Sequence, residues 1–208
     1  MPNERKQSMQ QIYLIGEDEY SSACPLLRET AAAHDGHLVC VPVQDWNRQL
    51  SPWFAPGLRQ GEDFTGEAQE FLRQIEETVR REEENAAIPA ENRCIMGYSL
   101  AGLFSLWCAS ESSLFGKAAS VSGSLWYDGW PEWLQEHPPK ANYVYLSLGA
   151  KEKNAGNRRM QCVEQNTLKT QQILLSKGIP CDFELNPGGH FNHPEERLKR
   201  AIEQLLSH

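Results

Sequence analysis

Long apolar runs and clustered positive charge are both missing from this 208-residue sequence. No run approaches the roughly 20 apolar residues of a membrane-spanning helix. The opening residues, MPNERKQSMQQ, are polar and include no apolar stretch before a small-residue cleavage site, so no signal peptide is predicted. The 20 Lys and Arg residues are outnumbered by 28 Asp and Glu residues, which give a net charge of −8. An electrostatic nucleic-acid binder would need the opposite balance, so neither a nucleic-acid nor a membrane partner is expected.

Paired cysteine motifs are missing as well. The six cysteines are scattered and form no CxxC pair, and several lie in apolar runs such as LVCV and RCIM. A free thiol in such a run behaves as a small core hydrophobe. The pattern therefore predicts no disulfide framework, no zinc or other metal site, no cofactor and a reducing, cytoplasmic location.

The chain alternates short apolar segments with amphipathic ones and contains no internal repeat. Its length predicts a single domain over 1–208, with 1–10 as a flexible polar N-terminus. Short runs that are mostly β-branched or aromatic and are followed by turn residues predict strands. These strands are expected at 11–16, 37–43, 93–97, 117–122, 142–149 and 181–186.

The intervening segments carry helical periodicity. Apolar stripes predict helices over 64–79, over 160–175 and from Pro194 onward. The segment 100–109, LAGLFSLWCA, is apolar on nearly all sides, as a helix buried against a sheet would be. Strands that alternate with helices indicate an α/β fold, namely a three-layer α/β/α sandwich. We expect a mostly parallel sheet of about six strands and no lid domain.

Two segments rich in aromatic residues and proline follow predicted strands. The longest irregular stretch is 44–63, and 123–139 has the same character. Both leave the sheet at strand carboxyl ends, where open α/β folds bind ligands. Their residues Trp46 and Trp126 are therefore candidate walls of a substrate pocket, although core packing is the ordinary alternative for a tryptophan.

The sequence Gly97-Tyr98-Ser99-Leu100-Ala101-Gly102 lies between a predicted strand and the buried helix. A nucleophile elbow needs this context, because its serine occupies a strained turn with small residues around it. Ala101 replaces the second glycine of the usual GxSxG pattern. Taken alone, the segment is equally compatible with an ordinary strand-to-helix turn.

The order of the later strands favours the elbow. In α/β-hydrolases the acid and the histidine of a triad follow the strands counted seventh and eighth. Here Glu152 follows 142–149, and His190 follows 181–186 in the turn PGGHF. The order Ser99, Glu152, His190 predicts a serine nucleophile, an orienting acid and a general base. Counted this way, the chain begins at the third strand of the larger hydrolases.

Alternatives remain for two of these roles. His193 could replace His190 as the base, or the two histidines could bind a metal, although no further ligands are spaced for one. Glu152 lies in KEK, where most glutamates are solvated, so Asp128, Glu164 or a Ser-His dyad without an acid stay open.

Backbone amides are predicted to form the oxyanion hole. One would be the amide of Leu100, at the start of the buried helix, and the second would come from Glu17, in the loop after the first strand. Tyr98, beside the nucleophile, is assigned to substrate binding.

Four segments together resemble a known family. GYSLAGLFSLW, SVSGSLWYD, LSLGAKE and NPGGHF are similar to the "putative esterase" family of the α/β-hydrolase superfamily, which includes esterase D-like enzymes and enterochelin-type siderophore esterases. The resemblance spans roughly residues 11 to 207. It implies a minimal α/β-hydrolase fold and hydrolysis of carboxylic esters through an acyl-enzyme, with Ser99 and His190 in their family roles.

The function predicted from these observations is a serine esterase that acts on a small soluble ester. An acyltransferase or peptidase using the same site is one alternative, and a catalytically degenerate binding or scaffold protein is another. A homodimer remains open.

Overall fold

A computed structural model describes residues 9–16, 22–83 and 88–208. Its central feature is a sheet of six parallel strands in this part of the chain. These strands are β1 (Gln10–Ile15), β2 (Gly36–Val41), β5 (Arg93–Tyr98), β6 (Lys117–Val121), β7 (Tyr143–Gly149) and β8 (Cys181–Asn186). Two short strands outside this sheet, β3 (Phe54–Ala55) and β4 (Phe64–Thr65), lie between β2 and β5 along the chain. Strands β5, β6 and β7 are buried along their whole length, because helices cover both faces of a parallel sheet. That double burial explains why their sequences are mostly apolar and do not alternate with polar residues.

The strand order is β2-β1-β5-β6-β7-β8. After β2 the chain returns across β1 and continues on its other side, so the direction of winding reverses between β1 and β5. Open α/β sheets bind ligands in the crevice that such a reversal leaves at the strand carboxyl ends. The fold therefore places the carboxyl ends of β1 and β5 side by side at a natural binding site.

Two layers of helices enclose the sheet. The helices are α1 (Cys24–Ala33), α2 (Trp46–Gln49), α3 (Ala68–Glu83), α4 (Leu100–Glu111), α5 (Trp130–Glu136), α6 (Val163–Ser176) and α7 (Pro194–Ser207). Helices α1 and α7 pack on one face through residues such as Leu27, Leu198 and Ile202. Helices α3 to α6 contribute to the apolar core on the other face. The predicted three-layer α/β/α sandwich is confirmed.

Burial on every side explains why the sequence of helix α4 is almost entirely apolar. All of its residues from Leu100 to Ser110 are buried. Its two serines satisfy their hydroxyls inside the helix, since Ser105 donates to the carbonyl of Ala101 and Ser110 donates to that of Leu106. A helix without a polar face can only form against other protein on every side, which fixes α4 beneath the nucleophile turn.

Several predicted boundaries were wrong. Residues Phe64–Thr65 do not begin a helix but pair with Phe54–Ala55 as a short antiparallel ribbon, β4 with β3, so α3 starts at Ala68. The stretches predicted to be irregular contain α2 and α5. Helix α1 was not predicted, because its sequence CPLLRETAAA contains few large apolar residues and its alanines give only a weak helical periodicity.

The predicted N-terminal segment 1–10 lies largely outside the described residues, and β1 begins at Gln10. No helix in the described part is long and apolar enough to cross a membrane. All six cysteines are free thiols.

Candidate active site

Ser99 occupies a strained turn between β5 and α4. Its backbone lies at φ 58° and ψ −124°, a conformation that L-residues with side chains rarely adopt. The turn is possible because its neighbours are small: a Cβ added at Gly97 would lie 2.5 Å from backbone atoms of Ala101. Strand β6 holds the turn in place, since the Ser99 amide donates to the Val121 carbonyl at 3.0 Å. The elbow predicted from the sequence thus has the geometry of one.

His190 joins Ser99 to Glu152 through its two ring nitrogens. Its Nε2 lies 3.0 Å from Ser99 Oγ, and its Nδ1 lies 2.8 Å from Glu152 Oε2. An ionised carboxylate only accepts hydrogen bonds, so the proton of a neutral imidazole belongs on Nδ1. Nε2 is then a free acceptor that faces the serine hydroxyl, which is the arrangement a general base needs.

Glu152 is buried beneath the histidine although it lies in the charged sequence KEK. It opens a short 3₁₀ turn over Glu152–Asn154, directly after β7. Its Oε1 accepts the amide of Gly149 at 2.7 Å. Burial alone would raise the pKa of Glu152, but hydrogen bonds from His190, Gly149 and Ser122 outweigh it and hold the pKa below its ordinary value. The carboxylate therefore stays ionised and can balance a charged imidazole.

Arg197, on α7, completes this network and was missed by sequence reasoning. The residue is 3% exposed. It donates to Glu152 Oε1 at 3.1 Å and to Ser122 Oγ at 2.7 Å. It also donates to the carbonyls of Pro187 and Gly189, in the loop that carries His190, at 3.1 and 2.9 Å. One arginine thus ties the acid to the loop of the base.

The sequence did contain a signal for Arg197. The residue lies on the same helical stripe as Leu198, Ala201 and Ile202, which are all buried. An arginine in an apolar stripe must find partners when the helix packs, because an unpaired buried charge is strongly unfavourable. A charged residue on the buried face of the last helix was therefore a recognisable candidate.

Tyr98 supports the same loop from the nucleophile's side. Its hydroxyl donates to the His190 carbonyl at 2.5 Å, and Arg197 lies 3.3 Å from that hydroxyl. Burial raises the pKa of Tyr98, so the phenol remains a neutral donor. Tyr98 lines the cavity in front of Ser99, where its predicted role in substrate binding would place it. Its hydroxyl, however, is already hydrogen-bonded to the loop that carries His190.

A cavity of about 490 Å³ opens in front of Ser99 and His190. The predicted wall residues Trp46 and Trp126 both line it, together with Leu100. The lining contributed by distant segments was not predicted, because no sequence pattern connects these residues: Leu58, Phe64, Met160, Phe191 and Pro194. A largely apolar cavity of this size is typical of small-molecule sites.

Arg159 holds the rim of this cavity together. It pairs with Asp128 at 2.8 Å and donates to the Pro56 carbonyl at 2.6 Å. Its guanidinium carbon also lies 5.6 Å from the centre of the Trp126 ring, which places the cation against an aromatic face. Three loops that are distant in sequence meet at this one side chain.

Leu100, the predicted oxyanion donor, follows Ser99 and lines the same cavity. As the first residue of α4, its N–H has no acceptor within the helix and points outward from the helix start. The second predicted donor, Glu17, lies outside the described residues.

The alternative candidates are placed elsewhere. Asp128 pairs with Arg159, and Glu164 pairs with Lys153 at 3.0 Å, whereas the carboxylate paired with His190 is that of Glu152. His193 is exposed and lies 3.7 Å from Glu196. No cluster of three or more His, Cys, Asp or Glu side chains suited to a metal occurs within residues 9–16, 22–83 and 88–208.

Comparison with known proteins identifies relatives of this chain. The Bacillus subtilis (strain 168) protein YbbA, which is uncharacterized, is 32% identical over 158 residues, an alignment that covers 70% of this chain and 62% of YbbA. The chain thus spans less than two thirds of that relative's length.

Solved structures share the fold. An IroE-like serine hydrolase from Shewanella oneidensis superposes with a TM-score of 0.76 at 17% identity, covering 96% of this chain and 71% of the other. The siderophore hydrolase EstA from Aspergillus nidulans gives a TM-score of 0.72 at 20% identity, with coverages of 96% and 83%. Residues 26–193 match the family described as "Putative esterase". Since this match covers most of the chain and includes the elbow and the histidine turn, the protein belongs to that esterase family.

Proposed function

We propose that this protein is a serine carboxylic-ester hydrolase in which Ser99 is the nucleophile, His190 the general base and Glu152 the orienting acid. The observation that carries the proposal is the hydrogen-bonded series Ser99–His190–Glu152, with its serine on a strained elbow that faces a cavity. Membership of an esterase family supports the same chemistry.

Acylation begins when Ser99 Oγ attacks the ester carbonyl carbon and gives its proton to His190 Nε2. The imidazolium that forms is stabilised by Glu152, whose lowered pKa keeps it anionic. The carbonyl oxygen becomes an oxyanion, for which the Leu100 amide is a donor. Collapse of this intermediate breaks the bond to the alcohol oxygen, which takes the proton from His190 and leaves.

Deacylation repeats the sequence with water. His190, neutral again, removes a proton from a water molecule that attacks the acyl carbon. The second intermediate collapses to release the carboxylic acid, and Ser99 recovers its proton from the imidazolium. Each proton that His190 takes is returned within the same half-reaction, so no cofactor is needed.

The lining of the cavity next to Ser99 favours an uncharged acyl group. Its walls near the serine are aromatic or aliphatic: Trp46, Phe64 and Trp126. An apolar lining stabilises acyl groups through burial rather than through charge. We therefore expect a small organic ester as substrate.

Labelling with a fluorophosphonate probe tests the nucleophile. The wild-type protein should form a covalent adduct at Ser99, and Ser99→Ala should form none while keeping its melting temperature. Ser22→Ala is a matched control, because Ser22 is an exposed serine that lines the same cavity but lies outside the hydrogen-bonded series Ser99–His190–Glu152. Labelling of the control should equal that of the wild type.

A panel of nitrophenyl esters then measures turnover. Loss of hydrolysis in Ser99→Ala together with retention in Ser22→Ala would support the proposal. A folded wild-type protein that neither reacts with the probe nor hydrolyses any ester would contradict it and favour a binding or scaffold protein.

A further inference from the structure

A second cavity of about 320 Å³ adjoins the first. Four residues line both spaces: Trp126, Met160, His190 and Phe191. These side chains form a common wall, in which the ring of the highly exposed Phe191, 89% accessible, lies edge-on to the ring of the base at a centroid distance of 5.0 Å. A molecule bound at Ser99 could therefore extend past this wall into the second cavity.

The second cavity lies on the side of the base. Its lining includes His190, Glu152 and Gly123, whereas Ser99 and Leu100 line the first cavity. In the proposed reaction the imidazolium must reach the departing alcohol oxygen, and the oxyanion must face Leu100. The alcohol half of the ester is therefore the half that points toward the second cavity.

The walls of this cavity suit a flat apolar group. Trp126, Met160, Val163 and Phe191 supply aromatic, thioether and aliphatic surface, and a thioether makes favourable contacts with aromatic rings. An apolar cavity of ~150 Å³ is enough to hold benzene. A space about twice as large accommodates one aromatic ring with a substituent.

The lining of the second cavity includes one cationic side chain. Lys151 contributes to the lining and is exposed, and no ion pair of its ammonium occurs in the described part of the chain. The neighbouring Lys153 is instead paired with Glu164. The carboxylate of Glu152 also lines the cavity, but its charge is balanced by Arg197 at 3.1 Å. An anionic substituent on the aromatic ring would find Lys151 as its counter-ion.

We infer that the second cavity is a leaving-group subsite that binds an aromatic alcohol carrying a carboxylate, with Lys151 recognising the carboxylate. This inference rests on the proposed esterase function. It assigns the alcohol half of the substrate, which neither the family nor the triad specifies.

Kinetics with three acetate esters tests the role of the charge. The esters are phenyl acetate, 3-carboxyphenyl acetate and its neutral analogue 3-carbamoylphenyl acetate. Lys151→Met should lower kcat/KM for the carboxyphenyl ester by about fivefold, the effect of one exposed ion pair, and leave the two neutral esters unchanged. Lys153→Met is the matched control and should affect none of the three. Equal values for both variants with the charged ester would overturn the assignment of Lys151.

Filling the cavity tests the subsite itself. A Cβ at Gly156, which lines the cavity, meets no atom within 4 Å, so a side chain there adds volume without a backbone clash. Gly156→Leu should lower kcat/KM for all three aryl esters by about tenfold relative to methyl acetate, and Gly156→Ala should change this ratio much less. An unchanged ratio in a folded Gly156→Leu protein would overturn the subsite.

Product binding separates this inference from the proposed function. Calorimetric titration of Ser99→Ala with 3-hydroxybenzoate should show binding that Lys151→Met in the same background weakens, whether or not the wild type hydrolyses esters. Hydrolysis without such binding would remove the subsite and leave the esterase. Binding without hydrolysis would remove the esterase proposal and leave a site for aromatic carboxylates.

Discussion

Replacement of Arg197 by methionine tests whether the buried cation is what holds the acid and the histidine loop together. Methionine keeps the length and flexibility of the side chain but removes every donor. Glu152 Oε1 would then lose its charged donor and keep the amide of Gly149, and the carbonyls of Pro187 and Gly189 would each lose one donor. The variant thus leaves a buried carboxylate without its counter-ion.

The expected cost follows from the burial of the pair. The side chains of Arg197 and Glu152 are 2% and 5% exposed, and removal of one partner from such a pair costs about 3–5 kcal/mol. For a chain of this size each kcal/mol lowers the melting temperature by about 2–4 °C. We therefore expect a decrease of about 12 °C. Most domains have a stability of about 5–15 kcal/mol, so the variant should still fold in the cold.

Differential scanning calorimetry measures this decrease, and Arg200→Met provides the matched control. Arg200 lies on the same helix but pairs with Glu184 and Glu203 at the surface, where such pairs contribute less than about 1 kcal/mol. At 15 °C the Arg197 variant should also lose at least about tenfold in kcat, because the imidazole is no longer oriented. If both variants melted within about 2 °C of each other, the network would contribute no net stability and the reasoning would be refuted.

Two further substitutions address the acid and the elbow. Glu152→Gln should lower kcat by at least about 100-fold with little change in KM, since an amide cannot stabilise an imidazolium; an unchanged kcat would favour a Ser-His dyad. Because the pKa of Glu152 is lowered in the folded protein, its ionisation stabilises the fold above the ordinary carboxyl range, and this contribution disappears as the pH falls through the lowered pKa. The wild type should therefore lose its advantage in melting temperature over Glu152→Gln below about pH 4. Gly97→Val should abolish activity and lower the free energy of unfolding by about 3 kcal/mol, because its Cβ would lie 2.5 Å from backbone atoms of Ala101. An ester assay measures the activity and denaturant unfolding measures the stability.

The sheet and the reacting groups could be predicted because the information is local. Each buried strand is a short apolar run with a turn after it, and Ser99 and His190 lie directly beyond two of those runs. Parallel strands bring their carboxyl ends to one edge, so positions along the chain translate into proximity in space. Glu152 was harder to assign, because KEK has the composition of a solvated turn. The groups that hold the carboxylate inward, such as the amide of Gly149, His190 and the arginine of α7, are not apparent from that segment.

Contacts between distant segments could not be predicted. The partners of Arg197 lie on loops after β6, β7 and β8, and the cavity wall combines Phe64, Met160 and Phe191. No periodicity or spacing within one segment encodes which residue of another segment it will meet. The exchange of helix for strand at Phe64–Thr65 has the same cause, since this pair forms only when Phe54–Ala55 is beside it.

Arg159 has a consequence for how this scaffold can diversify. Its guanidinium contacts Asp128, the Pro56 carbonyl and the face of Trp126, so the three loops at the cavity rim are held together by a single side chain. An insertion or deletion in any of these loops would break the contacts that Arg159 makes between it and the other two. A new substrate range on this fold therefore evolves more readily by substitution of individual side chains that line the cavity than by changes in loop length.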